Sequence, residues 1–146
     1  MIRKGTYVLE IALDACLDIR VGALGTITFP EGLYCYTGSA MGGIDQRVSR
    51  HILGEKRLRW HADYLTVNAS RVRAFVSYPD FVPECELARM AEECGMEPFA
   101  PGFGCSDCRC RTHLFRTDAA ALEDLEDRAG LVPFELFSVG PNNDKK

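Results

Sequence analysis

The amino-acid sequence predicts an α+β fold in which a small, mainly antiparallel sheet is flanked by helices. Some segments carry apolar residues at alternate positions, which is typical of half-buried strands, whereas others repeat them every three or four positions, as on one face of a helix. Short connections rich in Gly and Pro separate these segments. Because a chain of 146 residues suits one domain, we expect a single domain over residues 1–140 and a disordered tail over residues 141–146.

The alternating segments predict the strands. They cover residues 6–13, 19–21, 26–29, 33–37, 72–78 and 113–116. In the first strand Tyr7 lies on the apolar face, and in the fourth Tyr34 and Tyr36 share a face. The small residues at positions 38–40 predict a turn directly after the fourth strand.

Helical periodicity predicts three helices. They cover residues 44–53, 84–94 and 119–129. In the first helix Ile44, Val48 and Ile52 form the predicted buried stripe. Arg47 and Arg50 then lie on the flanks of that stripe.

The second predicted helix contains an unusual carboxylate. Glu84 precedes Leu87 and Ala88 by three and four positions, so it shares their inward face. The third helix has a conventional start, because Asp118 can cap its first turn.

Composition and charge exclude several classes of protein. No apolar run approaches the ~20 residues that cross a bilayer, and Met1 leads straight into patterned sequence without the apolar core of a signal peptide. We therefore expect a cytoplasmic protein with no membrane partner. The formal net charge of −4 argues against a surface built throughout for nucleic-acid binding. Seven cysteines without an export signal favour reduced thiols over a disulfide scaffold.

Two similar tripeptides lie on predicted strands, Gly5-Thr6-Tyr7 on the first and Tyr36-Thr37-Gly38 on the fourth, and Arg47 follows on a helix. Here the sequence resembles the GIY-YIG nuclease superfamily, whose name records two such tripeptides on neighbouring antiparallel strands. Further runs extend the resemblance over nearly the whole chain, to a small stand-alone branch that is grouped with the Uri endonucleases and has no settled substrate. These runs are residues 36–40, 50–51, 60–65, 84–88 and 102–108.

The resemblance implies an enzyme that cuts a phosphodiester bond with one divalent cation, Mg²⁺ or Mn²⁺. It assigns Tyr7 and Tyr36 to the two motif tyrosines, one of which accepts a proton from the attacking water. It assigns Arg47 to the charge on the phosphate and Glu84 to the metal. An arginine fork and a metal ion are both suited to stabilising that charge.

Two features depart from the superfamily pattern. A hairpin-like insert at residues 19–29 separates the two tyrosines, and Thr37 stands where isoleucine is usual. The identity of the metal-binding glutamate is also open. Glu84 ranks first because of its inward face, with Glu86 and Glu92 as the alternatives.

A second set of residues follows Arg50 and includes two histidines. His51 could contact a phosphate or act as a general acid. His61 and Asp63 could orient one another, or His61 could be a core histidine that bonds the backbone. Trp60 could stack on a base or pack in the core. The predicted nucleic-acid-binding residues are Arg50, Lys56, Arg57, Arg59, Trp60 and His61.

A cysteine-rich segment offers a possible zinc site. Cys105, Cys108, Cys110 and His113 fall within nine residues and are the types of side chain that bind zinc. Their spacing matches no standard zinc finger, so Cys85 or His61 could complete a site from a distance. The alternative is a set of buried thiols in a loop rich in glycine.

The function predicted from these residues is a metal-dependent endonuclease that acts on DNA or RNA. The net negative charge favours a structured or single-stranded substrate, or a protein partner that supplies positive charge. Two alternatives remain open, a non-catalytic nucleic-acid-binding module and a zinc-stabilised interaction domain.

Overall fold

A six-stranded antiparallel sheet flanked by four α-helices forms the part of the chain that the structure describes, which confirms the predicted α+β class. The structure is a computed structural model, and it describes residues 3–52, 61–104 and 110–134. The strands are β1 (Gly5–Leu13), β2 (Leu17–Arg20), β3 (Thr26–Phe29), β4 (Gly32–Ala40), β5 (Arg71–Ser77), β6 (Glu97–Pro98), β7 (Leu114–Thr117) and β8 (Val132–Pro133). The helices are α1 (Ile44–Ile52), α2 (His61–Thr66), α3 (Glu84–Glu93) and α4 (Ala119–Ala129).

The main sheet has the order β6-β7-β4-β1-β5-β8, whereas β2 and β3 form a separate two-stranded sheet. The insert therefore folds as a hairpin of its own, as the sequence predicts, and leaves β1 and β4 as directly paired neighbours. Their antiparallel register sets Tyr7 opposite Gly38 and Leu9 opposite Tyr36. Since alternate residues of a strand share a face, Tyr7 and Tyr36 project from the same side of the sheet.

The sheet separates two hydrophobic cores. On one side Tyr7, Leu9 and Tyr36 pack with apolar residues of α1 and α2. On the other side Val8 and Phe75 pack with apolar residues of α3 and α4. Each face of the central strands is therefore covered by a pair of helices.

Two details of the predicted elements are wrong. The segment Gly38-Ser39-Ala40 was expected to turn, but β4 continues through Ala40 because it remains paired with β1 as far as Gly5. In α1, Ile52 is exposed and His51 is buried in its place. His51 lies three positions after Val48, and its Nε2 lies 2.9 Å from the Tyr7 hydroxyl, which reduces the cost of burying the ring.

Residues 135–146, which include the predicted tail, lie outside the described residues. Within the described ranges, no helix is long and apolar enough to span a membrane.

Candidate active site

Tyr7 and Tyr36 lie side by side on one face of the sheet, with their ring centroids 6.3 Å apart. The ring of Tyr7 crosses the backbone of β4 at Gly38. A Cβ atom at Gly38 would fall within 3.0 Å of three side-chain atoms of Tyr7, a separation that real Cβ contacts do not reach. Because Gly38 of the second tripeptide has no side chain, it leaves room for the ring of Tyr7 of the first tripeptide.

His51 connects the tyrosines to a buried carboxylate. The Tyr7 hydroxyl lies 2.9 Å from His51 Nε2, and His51 Nδ1 lies 3.7 Å from Asp63 Oδ1. Asp63 also accepts a hydrogen bond of 2.7 Å from Arg50. Tyr7, His51 and Asp63 are all buried, so this row of polar side chains runs through the interior between β1, α1 and α2.

The charges of Arg47 and Glu84 shift the pKa values of the two tyrosines in opposite directions. Arg47 is fixed at the end of β4, where its Nη1 donates a hydrogen bond of 2.8 Å to the Ser39 carbonyl. Burial raises the pKa of Tyr7 above its ordinary value of 10.0, while the charge and a hydrogen bond of Arg47 lower it and the charge of Glu84 raises it.

The pKa of Tyr36 is raised by burial first and then by Tyr7 and Glu84, with Arg47 again acting in the opposite direction. Both phenols are therefore neutral at neutral pH. A further cation near the site would lower the pKa of both phenols, because positive charge favours the phenolate.

Four of the five residues that the sequence assigns to catalysis contact one another, and the charge of the fifth, Glu84, acts on both tyrosines. Tyr7 comes from β1, Tyr36 from β4, Arg47 and His51 from α1, and Glu84 from α3. Arg50 joins them through its bond to Asp63.

The alternative glutamates face elsewhere. Glu86 pairs with Arg89 at the surface, and Glu92 is exposed beside a groove along α3. Glu84 is half-buried, and its charge acts on both tyrosines. Among these three glutamates, Glu84 is therefore the one whose charge acts on both tyrosines.

The predicted nucleic-acid-binding residues are only partly accounted for. Lys56, Arg57, Arg59 and Trp60 lie outside the described residues. His61 accepts a hydrogen bond of 2.8 Å from the Gly104 amide through Nδ1 and packs 5.5 Å from the ring of Phe103. This bond agrees with the alternative in which His61 is a histidine that bonds the backbone. Burial lowers the pKa of His61.

For His61 the structure favours the bond to backbone over the alternative in which His61 and Asp63 orient one another. The two residues are two positions apart on α2, so their side chains point in different directions. Asp63 instead faces Arg50 and His51 on α1. The sequence carries no local signal for this contact, because it joins two helices that are separated by residues 53–60.

A second polar cluster lies on the other side of the sheet. Cys85, Cys110 and His113 place one potential ligand atom each within 4.8 Å of one another. Cys110 and His113 belong to the predicted zinc set, and Cys85 is one of the two distant residues, with His61, that could complete it. Cys105 and Cys108 lie outside the described residues.

His113 is held firmly in this cluster. Its Nδ1 lies 2.7 Å from the Thr37 hydroxyl, and its Nε2 lies 3.9 Å from Cys85 Sγ. Its backbone carbonyl also accepts a hydrogen bond of 3.0 Å from the Thr37 amide. Burial lowers the pKa of His113, so the neutral imidazole is favoured.

Comparison with known proteins gives a family but no activity. No curated protein and no solved structure matches the chain. A family model described as a domain of unknown function, DUF123, matches residues 6–130. That range includes every residue of the two clusters described above. The chain therefore belongs to the DUF123 family.

Proposed function

We propose that this protein is a metal-dependent endonuclease of the GIY-YIG type, which cuts phosphodiester bonds in DNA or RNA. The observation that carries the proposal is the convergence of Tyr7, Tyr36, Arg47, His51 and Glu84 from separate elements. Hydrolysis of a phosphodiester requires a proton acceptor for water and positive charge at the non-bridging oxygens. This set of side chains supplies the first directly and the second through Arg47 and a cation held by Glu84.

The carboxylate of Glu84 suits Mg²⁺ or Mn²⁺. A carboxylate oxygen is a hard ligand, which these cations prefer. Glu84 would hold the ion, with the phosphate of the substrate and water as further ligands. When bound, such an ion stabilises the negative charge that develops on the phosphate during cleavage.

Arg47 binds the scissile phosphate in this proposal. Its guanidinium carries a permanent charge and a planar set of N–H donors that match phosphate oxygens. The bond to the Ser39 carbonyl fixes the side chain at the end of β4, beside the tyrosines. A fixed cation stabilises the transition state without reorganising during the reaction.

Tyr7 and His51 provide a path for the proton of the attacking water. The Tyr7 oxygen accepts a proton from water while its own hydroxyl proton passes to His51 Nε2. The water oxygen forms its bond to phosphorus as the bond to the leaving oxygen breaks, and the leaving oxygen takes up a proton from solvent. Asp63 stabilises the resulting imidazolium because its carboxylate faces Nδ1. This path explains how a phenol whose pKa is raised by burial can still accept a proton. Tyr36 orients the water from the neighbouring position.

The substrate class and location complete the proposal. A net charge of −4 disfavours tight binding to any duplex, so we infer a structured or single-stranded nucleic acid as the substrate. The cytoplasm is the compartment we propose, because seven cysteines suit an environment that keeps thiols reduced.

A cleavage assay tests the function directly. Purified protein is incubated with Mg²⁺ or Mn²⁺ and a panel of branched, flapped and single-stranded DNA and RNA. We expect cleavage of at least one substrate, and a loss of about 10²–10³-fold in the rate for Arg47→Ala and for Glu84→Gln. Tyr7→Phe should lose about 10²–10⁴-fold because the proton path is broken.

Matched control variants distinguish the loss of a catalytic group from a general loss of folding. Glu86→Gln removes a carboxylate from the same turn of α3 at the surface, and Tyr34→Phe removes a hydroxyl that bonds the Pro30 carbonyl. Both should keep the wild-type rate. Binding without cleavage, weakened by Arg47→Ala but not by Glu84→Gln, would replace the proposal with a non-catalytic binding module.

A further inference from the structure

The cluster of Cys85, Cys110 and His113 joins three parts of the chain. Cys85 lies in the first turn of α3, Cys110 lies in the loop between β6 and β7, and His113 directly precedes β7. Their potential ligand atoms all lie within 4.8 Å of one another. The cluster lies on the face of the sheet opposite to the two tyrosines and takes no part in the proposed cleavage reaction.

The orientation of His113 is that of a metal ligand. Thr37 is buried in β4, and its hydroxyl lies 2.7 Å from His113 Nδ1. With the Nδ1 proton donated to that hydroxyl, the lone pair of Nε2 points toward Cys85. Histidines that bind metals are commonly oriented by such a bond from the second ring nitrogen.

The distance between the donor atoms of Cys85 and His113 fits tetrahedral coordination of a metal ion. Zinc bonds to sulfur at about 2.3 Å and to nitrogen at about 2.0–2.1 Å, so two such ligands lie about 3.5–3.6 Å apart at the tetrahedral angle. The distance of 3.9 Å between Cys85 Sγ and His113 Nε2 is within a few tenths of an ångström of that value. Two thiolates and an imidazole are soft and borderline ligands, which favour zinc over magnesium or calcium.

A route from solvent to the cluster is present. Cys85 and Cys110 line a groove of about 410 Å³ that also includes Ala88, Arg89 and Thr112. An ion can enter through this groove, and a fourth ligand such as water can complete the coordination from it.

We propose that Cys85, Cys110 and His113 form a zinc site that fastens the start of α3 to the strand β7. The ion replaces the contact between a thiol and an imidazole with three coordinate bonds and releases the thiol protons to solvent. Because Glu84 directly precedes Cys85, the same ion fixes the first turn of α3. The site does not depend on the proposed nuclease activity and can be tested without it.

Metal analysis tests the proposal on the full chain. Protein purified with reductant is stripped with a chelator, loaded with zinc chloride, desalted and measured by mass spectrometry of the metal. We expect one zinc per chain in the wild type and less than about a tenth of that in Cys85→Ser and Cys110→Ser, since each loses one of the three ligands. Cys94→Ser is the matched control, because Cys94 is a half-buried cysteine at the other end of α3, and it should retain the full content.

Two further measurements keep the result clear if a serine variant fails to fold. In the wild type, zinc should protect Cys85 and Cys110 from alkylation, whereas the exposed Cys16 reacts equally with and without zinc. Thr37→Val, which keeps every ligand, should weaken zinc binding by about 10–100-fold. Less than stoichiometric zinc in the wild type, reaction of both thiols in its presence, or a Cys85–Cys110 disulfide under reducing conditions would overturn the proposal.

Discussion

Gly38→Ala is the substitution that most directly tests how the two tripeptides fit together. The new Cβ would lie within 3.0 Å of three atoms of Tyr7. Tyr7 cannot move away easily, because its ring is buried against Tyr36 and His51 and its hydroxyl bonds His51. Overpacking of a rigid interior costs about 1–3 kcal/mol, and the rigidity of this site places the expected loss in the upper part of that range, at about 2–3 kcal/mol.

Thermal and denaturant unfolding measure this loss. For a chain of this size, about 2–3 kcal/mol corresponds to a fall in Tm of about 5–10 °C. Gly42→Ala is the matched control, since a Cβ at Gly42 meets no atom within 4 Å, and it should change stability little. In a Tyr7→Leu background the shorter side chain relieves the overlap, so Gly38→Ala should cost much less there. If Gly38→Ala is as mild as Gly42→Ala, the ring of Tyr7 does not cross β4 at Gly38.

Three other predictions concern stability. Glu10 is buried and accepts hydrogen bonds of 2.7 and 2.6 Å from Arg71 and Arg73. Glu10→Gln should therefore lower the free energy of unfolding in urea by about 1–1.5 kcal/mol, a modest loss because both arginines are exposed to solvent. An unchanged urea midpoint would contradict this. Asp118 accepts a hydrogen bond of 2.8 Å from the Ala121 amide at the start of α4, so Asp118→Ala should cost about 1 kcal/mol while Asp118→Asn costs less. The pKa of Tyr36 is raised in the folded state, so the unfolded chain loses its phenol proton first and stability falls as pH rises above about 10. In urea titrations with EDTA and reductant, Tyr36→Phe should make this fall shallower by about 1.4 kcal/mol per pH unit, and an equal slope in both proteins would contradict the burial of Tyr36.

Much of the fold could be predicted because local pattern and tertiary structure agree. Alternation identified β1, and helical periodicity identified α3 and α4, whose caps and buried faces match the sequence. The end of β4 could not be predicted in the same way. Its residues Gly38-Ser39-Ala40 favour turns locally, but their pairing with β1 keeps them in the sheet.

The candidate sites show the same division. The proximity of Tyr7, Tyr36 and Arg47 could be predicted because two short tripeptides carry the tyrosines and the helix after the second carries Arg47. Asp63 and Cys85 also occur among the sequence candidates, but the partners that the structure gives them belong to other elements, Arg50 and His51 in one case and His113 in the other. No periodicity or spacing within a single segment encodes such contacts, so a structure was needed to find them.

The central claim is that the side chains on the tyrosine face act as one catalytic centre. Single-turnover cleavage by Tyr7→Phe, Glu84→Gln and the double variant tests it most directly. Residues that act as a unit lose activity in a strongly non-additive way, so the double variant should be about as slow as the slower single variant. Independent losses that multiply in the double variant, or a wild-type protein that cuts none of the substrates with Mg²⁺ or Mn²⁺, would contradict the claim.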